Sequence, residues 1–144
     1  MAFQWLDMRI GEERDRRKRE ADILERLPRA LNELRDLLRG CIAEYQNAFG
    51  PESAEVSGVL SRIRVTVREL RDGKWETAAK VEINVDNKLP GLQIDRAGKA
   101  LQIEIGMLGG EKLSYRDVET DQYITTEDLT RRILDRVLFP KLPE

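Results

Sequence analysis

The chain contains no histidine. That removes the commonest general acid–base, the usual partner of a nucleophilic serine or cysteine, and most common zinc ligand sets. It contains one cysteine, Cys41, so no disulfide can close within the chain. A reducing, cytoplasmic location fits that usage. No stretch approaches the roughly 18 apolar residues of a transmembrane helix. Asp7 and Arg9 interrupt the apolar residues at the N-terminus, so no signal-peptide core is expected there. An excess of one charge is also missing. Lys and Arg number 25 against 27 Asp and Glu, giving a net charge of −2, so no global basic field exists to draw in nucleic acid. Aromatic residues are scarce at 6%, which leaves little to form a base-stacking surface.

What is present is one domain's worth of amphipathic sequence. The chain has 144 residues, 40% hydrophobic and 36% charged, enough for a core under a strongly polar surface. Its centre is residues 28–49. Leu24, Leu27, Leu31, Leu34, Leu38, Cys41, Tyr45 and Ala48 follow a 3-4-3-4 spacing, widened by Ile23, Leu37 and Ile42. A stripe this wide suits packing on a sheet better than a narrow coiled-coil seam. Gly50-Pro51 ends the helix. Pro28 lies inside the pattern, and its missing N–H and ring clash predict a break there. The division expected is residues 1–27, an arm with a charged helix, and residues 28–144, a single α+β domain. Cys41 falls on the apolar stripe and reads as a packed thiol rather than a nucleophile.

Alternating sequence follows the helix. Ile63, Val65 and Val67 alternate with Arg62, Arg64, Thr66 and Arg68, and Trp75 to Val85 repeats the pattern. Parity bears on the hairpin between them. A plain two-residue Asp72-Gly73 loop would set Val65 opposite Lys80. A three-residue loop, Arg71-Asp72-Gly73, sets Val65 opposite Ala79, Ile63 opposite Val81, Arg62 opposite Glu82 and Arg68 opposite Glu76, and is therefore expected. A turn over residues 86–91 leads to Leu92 and Ile94. An even loop around Ala97-Gly98 brings Ile94 to Leu101 and Leu92 to Ile103. After a Gly-rich loop, an odd connection sets Ile105 opposite Leu113 and Ile103 opposite Tyr115. Residues 51–57 read as a polar connection. Thr125-Thr126-Glu127-Asp128 resembles a capping box, with Ile124 and Leu129 as its staple and Leu129, Ile133, Leu134 and Val137 as a buried stripe. The fold class is α+β: a long N-terminal helix, an antiparallel four- to five-stranded meander and a C-terminal helix, with the helices covering one sheet face.

Few residues carry chemistry. Glu76, Glu82 and Glu104 have basic or polar neighbours and nothing to bury them, so acid–base catalysis is not expected. No cofactor or metal is implied, and the glycines at 106, 109 and 110 lack phosphate-loop spacing. The open sheet face is expected to be polar and free of aromatic residues. The interaction candidates are Phe3, Trp5, Leu6, Met8 and Ile10, an apolar cluster at the start of the chain. Met107 and Leu108, at the Gly-rich loop, either fold inward or form a small contact patch. These point to a non-catalytic interaction module, a homodimer formed through the arm and charged helix. The alternative is nucleic-acid binding through the basic run of Arg16, Arg17, Lys18 and Arg19, joined by Arg62, Arg64 and Arg68. The acids around that run favour a solvated helix, since Glu12–Arg16, Glu13–Arg17 and Asp15–Arg19 are acid-before-base pairs at i, i+4.

Overall fold

The computed structural model describes residues 3–86, 91–96, 99–108 and 112–143, with the Leu108 side chain outside that description. Two helices lie on a seven-stranded antiparallel sheet. In chain order they are α1 (Gln4–Phe49), β1 (Ala54–Val59), β2 (Arg62–Arg71), β3 (Lys74–Asp86), β4 (Gly91–Arg96), β5 (Lys99–Leu108), β6 (Lys112–Asp117), β7 (Gln122–Ile124) and α2 (Thr126–Leu138). The sheet is a plain meander in sequence order, as short connections require. The α+β class and the meander agree with the sequence, while the strand count is seven rather than four or five. The two extra strands are the outer ones. β1 lies in the stretch read as a polar connection, and β7 in the approach to α2.

α1 is one continuous helix, with Pro28 inside it. The expected break does not occur. Ile23 and Leu27 before the proline and Leu31 and Leu34 after it all enter the same core. Packing on both sides of position 28 therefore offsets a local cost of about 3 kcal/mol. The buried line is Ile23, Leu27, Leu31, Leu34, Leu38 and Ile42. It is rolled slightly from the expected stripe, so that Leu24, Leu37 and Cys41 face outward. Cys41 is thus not a core thiol. α2 behaves as its sequence implies: the Thr125 hydroxyl accepts from the Asp128 N–H at 3.1 Å, and Leu129, Ile133, Leu134 and Val137 are buried.

The β2–β3 hairpin departs from the expected loop in an instructive way. Its turn has two residues, Asp72 and Gly73, both with positive φ, and Arg71 pairs with Lys74. Such turns match the twist of the flanking strands. The clash of faces is avoided by a bulge: Arg68 pairs with Thr77 and Val67 with Ala79, which leaves Ala78 as the extra residue. Beyond the bulge Val65 faces Val81 and Ile63 faces Ile83, two residues from the expected partners. Glu82 and Arg64 are direct partners, and Arg62 reaches Glu82 diagonally. Arg68 pairs with Glu55 on β1 rather than with Glu76.

The β4–β5 pairing is as expected, Ile94 with Leu101 and Leu92 with Ile103. In β5–β6 the connection is odd, as expected, but Ile105 meets Tyr115, Met107 meets Leu113 and Ile103 meets Asp117. Strand pairing carries on to Leu108 and Lys112, so the hairpin closes later than the sequence implied. The loop tips at 87–90, 97–98 and 109–111 lie outside the described residues, and with them most of the 86–91 turn and the Ala97-Gly98 loop. Gly58, in β1, has φ +95, and a Cβ there would stand 2.2 Å from the Arg62 carbonyl oxygen. Only glycine allows the tight β1–β2 hairpin at that point.

One core joins all layers. Leu34, Leu38, Ile63, Val65, Val81, Ile83, Leu92, Ile94, Ile103, Leu129 and Ile133 are its most buried side chains. α1 runs from β5 and β6 toward β1, with α2 beside it on β3, β4 and β7. That diagonal leaves the first part of α1 with no sheet beneath it.

Candidate functional site

Gln4–Phe49 contains 46 residues and so extends about 69 Å at 1.5 Å per residue. Burial in the core starts at Ile23. Residues 4–20, about 25 Å of helix, therefore project past the sheet. The projection ends in the apolar cluster: Phe3 is 67% exposed, Trp5 66%, Met8 69%, Ile10 46% and Leu6 39%. These side chains do not pack against the core of the chain. The helix start has no side-chain cap, since Phe3 occupies the N-cap position. These are the residues that the sequence singled out at the start of the chain, and the structure places them together at one tip.

Ion pairs line the rest of the projection. Arg9 bonds Glu12 at 2.8 Å, Arg16 bonds Glu13 at 2.7 Å and Glu20 at 2.6 Å, and Arg17 bonds Glu13 at 3.1 Å. Exposed pairs of this kind support a helix by a few tenths of a kcal/mol each. The Arg16 hydrogen bond, then that of Arg17, holds the Glu13 carboxyl down at about 2, far below its ordinary value. With a depressed value, the support Glu13 gives the helix is full above the ordinary carboxylate range and is lost as pH falls through about 2. An NMR titration of the side-chain carboxyls should show Glu13 ionised at pH 3. A midpoint near 4.5 would contradict the bidentate pairing.

Where the projection meets the sheet, a cleft of about 510 Å³ opens between α1 and the ends of β5, β6 and β7. Arg16, Arg19 and Ile23 form its helix side, and Ile105, Met107 and Tyr123 its sheet side. Met107 is partly buried and packs on the core. It is not at the tip: Ile23 lies thirteen residues along the helix from Ile10, about 20 Å. The Leu108 side chain lies outside the described residues. Tyr123 is 62% exposed and pairs with Arg116 across β6–β7. The open sheet face thus has an aromatic residue that sequence parity did not find, because β7 was not recognised as a strand. Arg116 itself is engaged, bonding Glu104 at 2.7 Å and Asp121 at 2.6 Å.

The basic residues do not form one surface. Arg16 and Arg19 line the cleft at β5–β7, whereas Arg62, Arg64 and Arg68 lie on β2. Arg62 and Arg64 pair with Glu82, and Arg68 with Glu55 at 2.5 Å. The Arg62 hydrogen bond is the main cause of a lowered Glu82 pKa. Lys18 and Arg19 make no ion pair among the described residues.

A second groove, about 740 Å³, separates α1 from α2 and is lined by Cys41, Tyr45, Phe49, Leu134 and Phe139 among others. Partial burial, and then Glu44, push the Cys41 thiol upward, the wrong direction for a nucleophile. Tyr45 stacks near Phe49 and Phe139, with ring centroids 4.7 and 5.9 Å away. No group of three potential metal ligands occurs among the described residues, and no helix is long and apolar enough to cross a membrane. No known protein family matches the chain, and comparisons with curated proteins and with solved structures found no match.

Proposed function

We propose that the protein is a non-catalytic assembly module that self-associates through its projecting N-terminal helix. One observation carries this reading: residues 4–20 of α1 leave the core and end in an exposed cluster of Phe3, Trp5, Leu6, Met8 and Ile10. A single helix of that length gains little by itself in water. Covering large apolar side chains would stabilise it by roughly 1.5–3 kcal/mol for each one fully buried. Nucleic-acid binding has less behind it, because Arg16, Arg17, Arg62, Arg64 and Arg68 already meet carboxylates. It would show as a salt-sensitive affinity at about 50 mM salt.

Light scattering tests the assembly. The native chain should have about twice the 16.6 kDa mass of one copy. A Trp5→Ser, Leu6→Ser, Ile10→Ser variant should be monomeric, with the same thermal midpoint in dilute solution, since none of the three touches the core. A monomeric native chain would sink the proposal.

A further inference from the structure

Resting on that reading, we infer that the partner is a second copy of this chain, and that the two projecting helices pair antiparallel so that residue i lies beside residue 29 − i of the partner. The buried line of α1 leads to this arrangement. Followed backward from Leu27 and Ile23, it continues in alternating steps of three and four through Glu20, Arg16, Glu13 and Arg9 to Leu6. The spacing from Leu6 to Leu27 is that of a heptad seam, while the buried part of the line from Ile23 to Ile42 steps four, four, three, four, four. Its core half rests on the sheet, and its other half faces solvent.

Read in the opposite sense, the seam keeps its apolar ends and inverts every charge. Pairing residues whose numbers add to 29 sets Arg9 beside the partner's Glu20, Glu13 beside the partner's Arg16 and Leu6 beside the partner's Ile23. Each contact occurs twice, by the two-fold symmetry of a closed dimer. Every pair is opposite in charge or apolar on both sides. The 3–4 spacing also puts each residue opposite the alternate seam position, as antiparallel helices require. A parallel, in-register pair would instead oppose Arg9 with Arg9, Glu13 with Glu13, Arg16 with Arg16 and Glu20 with Glu20.

Two flanking pairs, whose numbers add to 27 on one side of the seam and to 31 on the other, agree. Phe3, 67% exposed, comes beside the partner's Leu24, itself 47% exposed at the base of the projection. Glu12 comes beside the partner's Arg19, which makes no ion pair among the described residues of its own chain. The cleft supplies the end stop. Met107, partly buried over the core residues Ile23 and Ile105, lies at the level where the partner's Leu6 arrives. The apolar contacts at the two ends supply affinity. The charged seam sets orientation and register, since Arg16 already has carboxylate partners in the free chain and gains little by exchanging them.

Spin-label distances measured on the full chain, in a Cys41→Ser background, test the geometry. Labels at Arg14 lie near the two-fold axis and should be close together. Labels at Glu25 should be separated by about 30 Å along the helices, from 1.5 Å per residue. Short distances at both positions mean a parallel dimer and overturn this inference while leaving self-association intact. A monomer by light scattering overturns both. Glu13→Arg, which places Arg against the partner's Arg16, should weaken dimerisation at least tenfold, and so should Arg16→Glu. An equimolar mixture of the two variants should form a dimer containing one of each. Dimerisation unaffected by Glu13→Arg would also overturn the register.

Discussion

Leu34→Asp should abolish folding. Leu34 is fully buried at the centre of α1, where the helix crosses the sheet. The substitution removes a side chain whose burial is worth about 1.5–3 kcal/mol and puts a carboxylate into the apolar core, at a further cost of several kcal/mol. Domains of this size have only about 5–15 kcal/mol in hand. The expected result is a circular dichroism signal with no cooperative thermal transition. Leu37→Asp is the matched control. It belongs to the same apolar pattern in sequence, yet Leu37 is 42% exposed, and the substitution should cost less than about 1 kcal/mol. Equal effects at the two positions would mean that the buried line of α1 is wrongly placed.

That contrast shows where sequence periodicity stops being informative. The Leu and Ile residues of α1 announce an amphipathic helix, but they cover more than one face. The expected line through Leu24 and Cys41 and the observed line through Ile23 and Ile42 differ by one residue at each end. For the proposed interaction surface this matters a great deal. Traced backward from Leu24 in the same alternation, the line meets Glu20, Arg17, Glu13, Ile10 and Leu6, and antiparallel pairing then sets the apolar Ile10 against Glu20. Traced from Ile23 it meets Glu20, Arg16, Glu13, Arg9 and Leu6, which is self-complementary. The apolar tip was legible from composition alone, whereas the seam needed the core to define its phase.

The sheet shows the same division. Faces were readable, because Ile63, Val65, Val81, Ile83, Leu92, Ile94, Leu101, Ile103 and Ile105 alternate cleanly and all are buried. Registers were not. Parity fixes which residues share a face but says nothing about a shift of two, which is the error in both the β2–β3 and β5–β6 pairings. It also cannot detect a bulge, and Ala78 lets a two-residue turn coexist with correct faces. β1 and β7 escaped notice because edge strands need bury little. β1 has one buried residue, Ala54, in a polar sequence with a glycine, and β7 is three residues long.

Arg132→Met should destabilise the protein more than Asp117→Asn, although the arginine is the more exposed partner. Asp117 pairs with Arg132 of α2, its side chain 3% exposed against 33%. Its other oxygen accepts from the Glu119 and Thr120 N–H groups at 2.9 and 3.4 Å. Removing Arg132 leaves a buried carboxylate without its cation, for which about 3–5 kcal/mol is typical. Asp117→Asn keeps the acceptor for the turn, and the arginine it releases can turn to water, so about 1–2 kcal/mol is expected. The decisive comparison is the double variant. If desolvation of the unpaired carboxylate dominates, Asp117→Asn should recover part of the stability lost in Arg132→Met, so the pair of substitutions is less damaging than Arg132→Met alone. Urea denaturation of the four proteins gives the coupling directly. Additive losses would show that the cation contributes packing over the end of the sheet rather than charge compensation.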